Sequence, residues 1–346
     1  MKLVAYNYAQ NEKTGITCSS ENLDFLAENI RHEFRSKEWR SHGCFELTDS
    51  NNTITIDGDT HVLDNGRYSP ETLAYELWMI TGLQFFFSRV TGHWRIESDT
   101  HSPFEASGSL LSILGFTGPL SGADQYTSPK IAIHTSEWIT FDLKTTEEID
   151  TVAILWPKGK YRLAAGASLR VEGAATNNWA TPGFSEHVVF DERQEIAQLH
   201  FPKQSFRFWR IVIEYPECAH LDVNIGTVVL GLADEVITVA STGFDLSIKD
   251  LTRVTSTPFG QSYSDKYPKQ KALTVNFDLL ELEETEQLTA IYDAAGVSTP
   301  VFIHLDPEER VLSSEFWIYG KFTNDLALKH RFAGAFASGL VLLEQN

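Results

Sequence analysis

Trp138-Ile139-Thr140-Phe141-Asp142-Leu143, followed closely by Ile149-Asp150-Thr151-Val152-Ala153-Ile154, is the stretch on which the fold turns. Its residues alternate around β-branched and aromatic side chains. The same alternation returns in Ser168-Leu169-Arg170-Val171-Glu172 and Arg210-Ile211-Val212-Ile213-Glu214. Period-two runs bounded by Gly, Pro and Asn read as half-buried antiparallel strands, so the segment from about 131 to 235 is predicted to be a β-sandwich.

Working outward, residues 45–130 read as a small α+β unit. Thr53–Ile56 and His61–Leu63 form a hairpin pair around Asp57-Gly58-Asp59. Ser69-Pro70 then opens the apolar periodic run Thr72–Ile80, a helix start in which Ser caps and Pro tolerates the first turn. A second strand pair, Leu83–Val90 and His93–Glu97, precedes a short helix Ser109–Leu114 stopped by Gly115. The order expected is ββαββα. Residues 236–346 bring strands at 235–239, 272–279, 300–305, 315–321 and 335–344, and a helix over 281–295 ended by Gly296. Thr252–Lys271 reads as a long polar loop, and loops of that length in compact domains are usually functional or disordered.

At 346 residues the chain has room for two or three domains. It carries 28 basic against 47 acidic residues, a net charge of −19. That balance argues against nucleic acid, whose phosphates require clustered Lys and Arg. The charge is 0 over 1–44, −7 over 45–130, −6 over 131–235 and −6 over 236–346, so it speaks for solubility rather than an acidic tail. No apolar run is long enough to span a membrane, and Met1–Gln10 has no signal-peptide pattern, so synthesis as a soluble cytoplasmic protein without membrane insertion is expected. Cys18, Cys44 and Cys218 cannot all pair and lack metal or redox spacing, so they read as reduced thiols. The sequence has no H-E-x-x-H, G-x-S-x-G or phosphate-binding glycine loop, and no enzyme, metal or cofactor is expected.

The strand beginning at Trp138 resembles the W-x-x-x-D-L strand of the discoidin (coagulation factor 5/8 type C) family. Phe206-Arg207-Phe208-Trp209-Arg210-Ile211 is similar to its R-Y-W-R-I strand, and Ile225-Gly226-Thr227-Val228-Val229-Leu230-Gly231 to its closing I-G-x-x-x-L-G strand. The family's first part lies far upstream, in Cys18-Ser19-Ser20, Ala27-Glu28-Asn29-Ile30 and Trp39-Arg40-Ser41. The resemblance implies a sandwich split into 1–44 and 131–235, with 45–130 inserted into a surface loop and 236–346 as a C-terminal domain. The fold class is then mainly β with α+β parts: a discoidin-like β-sandwich (jelly roll), an inserted small α+β domain, and a mostly-β C-terminal domain. It also places Trp39, Trp138 and Trp209 in the sandwich core.

Gly66-Arg67-Tyr68-Ser69-Pro70, Leu73-Ala74-Tyr75-Glu76-Leu77 and Leu111-Ser112-Ile113-Leu114-Gly115-Phe116-Thr117-Gly118 resemble a module of tailed-bacteriophage tail proteins. The C-terminal Val301–Pro307 and Phe316–Gly320 are similar to tail-tip and baseplate modules. This resemblance implies a non-enzymatic virion protein of the distal tail, made in the host cytoplasm. It would form a ring-like homo-oligomer and carry tail-tube, hub or fibre proteins.

The alternative is a carbohydrate-binding module recognising host-surface glycan. Trp179 beside Asn177 and Asn178, with Tyr161 and Arg162 on another loop, suits a sugar's apolar face and hydroxyls; the competing reading has Trp179 capping the sandwich or docking on a subunit. The polar stretch with Phe259, Tyr263, Lys266, Tyr267 and Lys269 is expected to reach a neighbouring chain. Asp191, Glu192, Glu195 and Asp222 as calcium ligands, or Glu147-Glu148 and Glu283-Glu284 as glycosidase acids, have no defining spacing and read as solvated surface.

Overall fold

The computed structural model describes the chain except residues 22–23, 42–44, 89–90, 131, 133–135, 159–162, 164–166, 191–194, 215–222, 236–243, 268, 306–315 and 346. It is mainly β, with antiparallel sheets throughout. The alternating stretches become two long strands, Glu137–Leu155 and Ile196–Glu214, paired from Glu137↔Ile213 to Leu155↔Ile196. Register shifts after Asp142 and Ile149 break the ladder, and Lys144 takes φ 69° at the first. Such irregularities bend a strand and increase its twist. Each half therefore meets different neighbours: Ile139–Asp142 pairs Gly15–Cys18, and Thr151–Leu155 pairs Thr227–Gly231. Ser168–Ala174 and Phe184–His187 extend the other edge.

The inward side chains of these strands, with Ala27, Ile30 and Trp39 from upstream, form the sandwich core. Trp39 and Trp209 are fully buried, but Trp138 is only half-buried. Ile139, Phe141 and Leu143 take the inward positions, so the period-two rule turns Trp138 outward, where the Arg67 guanidinium lies 5.9 Å from its ring.

A second apolar cluster is built from residues 45 to 132, among them Phe45, Leu73, Leu77, Trp94, Phe104 and Leu110. It lies among small sheets and the helices Pro70–Thr81 and Leu110–Ile113. Ser69 Oγ accepts the Thr72 amide at 3.1 Å and Gly82 ends the longer helix at φ 72°. The element order is longer than ββαββα. Phe45–Leu47 pairs Gly66–Tyr68, and Phe104–Ser107, Leu120–Ala123 and Gln125–Thr127 add further strands. These are three- or four-residue runs, too short to show a period.

The third cluster joins the helix Leu282–Ala295 to a sheet ordered Asp234–Glu235, Lys2–Val4, Val301–His304, Trp317–Phe322, Ala335–Glu344, Gln270–Leu280, Phe244–Lys249. Glu281 and Glu284 form a capping box at the helix start, so Glu284 serves the backbone. Two sequence expectations change here. Residues Lys2–Val4 belong to this sheet and not to the sandwich, pairing Val301–His304 on one side and Asp234–Glu235 on the other. Within 252–271, Arg253–Ser256 and Ser262–Asp265 pair as a β-hairpin, where the sequence reads as a loop. A further cluster, with Val4, Leu155, Ile196, Phe302 and Trp317, packs the sandwich against this sheet.

Candidate functional site

Three surfaces carry the candidate chemistry. The first is the end of the sandwich. The chain leaves Ala174 and returns at Phe184, with Trp179 half-buried between them. Gly173 and Gly183 let this loop close down, since a Cβ at either would stand 2.6 Å from the Phe206 ring. The Trp179 indole N–H donates to Asn177 Oδ1 at 2.8 Å, and Asn178 Oδ1 accepts the Ala180 amide at 3.2 Å. The Arg210 guanidinium lies 4.4 Å from the Trp179 ring centroid, held by Glu172 at 2.6 and 2.9 Å. Glu172 is buried and also binds Arg170. Trp179 and Asn177 thus meet within the loop, one ring face is covered by Arg210, and the indole donor is engaged locally. Arg210 was missed in the sequence because it looked like an ordinary outward strand residue. Tyr161 and Arg162 lie outside the described residues.

The second surface is the hairpin Arg253–Asp265. Every residue of its two strands is exposed, including Val254 at 66% and Tyr263 at 62%. Its turn is closed by Thr257 N donating to Gln261 O at 2.7 Å, with Gly260 at φ 78°. This turn holds Phe259 at the tip, 93% exposed. Tyr267 is 48% exposed, and Lys266 and Lys269 are exposed beside the base of the ribbon. An isolated two-stranded hairpin is marginal in water, and among the described residues neither strand of this one has a buried side chain.

The third surface has no signal in the sequence beyond a helix face with too many apolar residues. On Pro70–Thr81, Leu73 and Leu77 point inward while Tyr75, Trp78 and Met79 are 57%, 44% and 58% exposed. Tyr75, Trp78, Phe86 and Asp99 line a shallow cleft of about 340 Å³ with Ala74, Gln84 and Phe85.

Other sequence candidates take structural roles. Glu195 pairs with Arg35 at 3.2 Å, while Asp191, Glu192 and Asp222 lie outside the described residues. Glu147 accepts from Tyr8 and Thr145 at 3.0 and 2.6 Å. Cys18 is half-buried; burial, with Glu21 beside it, pushes its thiol up to about 12, so it is a poor nucleophile. Cys44 and Cys218 lie outside the described residues. Among the described residues no group of three or more His, Cys, Asp or Glu side chains is placed to hold a metal, and no helix is long and apolar enough to cross a membrane.

No family model and no curated protein matches this chain. Solved structures similar in part include a Streptococcus pneumoniae fucose-binding module, at 11% identity and TM-score 0.32, covering 65% of this chain and 94% of that one. A Clostridium perfringens carbohydrate-binding module solved with GalNAc-β-1,3-galactose matches at 9% identity and TM-score 0.33, covering 66% and 100%. A Paenibacillus chitosan-binding module matches at 11% identity and TM-score 0.30, covering 65% and 98%. Scores this low carry no functional weight.

Proposed function

We propose that this chain is a non-catalytic component of a multi-chain assembly, of the tail-tip kind that its sequence resembles. The hairpin Arg253–Asp265 is the observation that supports this reading. A ribbon whose strand residues are all exposed, and which carries Val254, Phe259 and Tyr263 into solvent, has the character of a contact surface for another chain. None of the solved structures named above is a tail protein, so the reading rests on the hairpin and on sequence resemblance. The experiment replaces residues 254–264 by a short Gly-Ser turn and measures particle mass by mass photometry. The expected result is that the full chain assembles with itself or with tail-tube, hub or fibre proteins, while the shortened chain stays folded and single. Unchanged assembly of the shortened chain would sink the reading.

A second reading, recognition of host-surface glycan, is favoured by Trp179 and the Arg210–Glu172 pair at the sandwich end, where an aromatic ring sits beside ordered polar groups. Glycan-array binding by the full chain that disappears in Trp179→Ala supports this reading; an array with no signal removes it.

A further inference from the structure

The cleft on the 45–132 unit is unused by either reading. Two of its walls come from one helix: Tyr75 and Trp78 stand three residues apart, their ring centroids 6.0 Å apart and their planes inclined at 49°. Residues at that spacing lie side by side on a helix surface. Phe86, from Gln84–Phe87, also lines the cleft and is 40% exposed. The only charged side chain of the lining is Asp99, exposed and with no hydrogen bond or ion pair among the described residues. We infer that this cleft binds a quaternary ammonium group, of the trimethylammonium type, between the three rings and Asp99.

Aromatic faces carry the negative side of the ring quadrupole, so a cleft lined by three rings favours a cation within about 6 Å of a centroid. Asp99 adds a full negative charge, and the residues 45–130 add a field of 4 basic against 11 acidic groups. Phe86 shows the preference already: the Arg95 guanidinium lies 4.6 Å from its ring centroid, tethered by Glu97 at 3.3 Å. Arg95 covers one face of Phe86 and is not among the residues that line the cleft. A bare ammonium is a poor match, because it is strongly hydrated and the lining has one carboxylate to replace its water. Methylation removes the N–H groups, spreads the charge over carbon and lets the methyls pack on the rings. An anionic ligand is disfavoured by Asp99. A volume of about 340 Å³ suits a head group or substituent rather than a large ligand.

This inference is independent of the hairpin and of Trp179, so its test separates from theirs. The full chain is titrated calorimetrically with choline chloride and with 3,3-dimethylbutan-1-ol, an uncharged molecule of the same shape. Choline is expected to bind at least about tenfold more tightly, the ratio that corresponds to a single well-placed cation–π contribution. Trp78→Ala should abolish binding, and Asp99→Asn, an exposed change that leaves packing intact, should weaken choline several-fold and leave the alcohol unaffected. Vesicles of phosphatidylcholine then tell a membrane head group from a soluble or polymer-borne one. Equal binding of the two small molecules, preference for a neutral hexose, or choline binding that Asp99→Asn and Trp78→Ala do not change would overturn the assignment.

Discussion

Arg35 shows how much one buried side chain can join. It is fully buried and donates to the Trp156 carbonyl at 3.0 and 2.6 Å, to Glu195 at 3.2 Å and to Glu344 at 3.2 Å. Glu344 also receives Lys158 Nζ and the Lys271 amide, each at 2.8 Å. The backbone of Arg35 passes so near Gly226 that a Cβ there would lie 2.5 Å from the Arg35 carbonyl oxygen. Nothing in Phe34-Arg35-Ser36 announces this, because the partners are more than a hundred residues away. Removing Arg35 leaves the Trp156 carbonyl and one oxygen of Glu344 without their buried donor, while Lys158 still offsets the Glu344 charge, so Arg35→Ala is expected to lower stability by about 3 kcal/mol in chemical denaturation. A loss below about 1 kcal/mol would mean that water reaches the site.

At the same scale, His200 and His304 stack with ring centroids 5.1 Å apart and approach at 2.8 Å, Nε2 to Nδ1. Burial first, then His304 and Lys2, hold His200 down to about 3. An unfolded histidine titrates near 6.5. Between those values the unfolded chain takes up the proton and the folded chain does not, so stability is complete above about pH 6.5 and falls as pH drops toward 3. The unfolding midpoint of the parent chain should therefore decline between pH 6.5 and 5 more steeply than that of His200→Gln. Parallel curves would remove the pair as the cause.

Among elements, the long strands were legible and the hairpin was not, for one physical reason. Period two is visible when one face is buried, as in Glu137–Leu155 with Ile139, Phe141 and Leu143 inward. Arg253–Ser256 and Ser262–Asp265 bury neither face, so selection by burial left no alternation to read. Trp179 was legible as a loop aromatic for the same reason that its Arg210 partner was not: the contact crosses from loop to strand. In hydrogen exchange, the hairpin amides of the isolated chain should exchange orders of magnitude faster than those of Glu137–Leu155. Protection of the hairpin comparable with that strand, in a chain shown to be single, would mean that it is stabilised without a partner.

For the whole molecule, the three large apolar clusters are not equally connected. The sandwich and the terminal sheet share the cluster of Val4, Leu155, Ile196, Phe302 and Trp317 and the Arg35 network, whereas among the described residues the apolar cluster of 45–132 takes no side chain from outside that span. Calorimetry should resolve two unfolding events, and excising 45–130 with a short linker should remove one and leave the other within a few degrees. A single transition lost altogether on excision would show that the inserted residues are needed for the sandwich. The resemblance of scattered sequence pieces implies such a division. It did not show Lys2–Val4 leaving for a distant sheet, since a three-residue strand has no signature of its own.

That strand sets a constraint on manufacture. Leu3 lies opposite Ile303, so on a ribosome it has no neighbour on that side until some three hundred further residues have been added. At about 5–20 residues per second, that is a wait of roughly 15–60 seconds with Leu3 and Val4 uncovered. The sheet that holds Lys2–Val4 therefore closes late, long after that strand has been made.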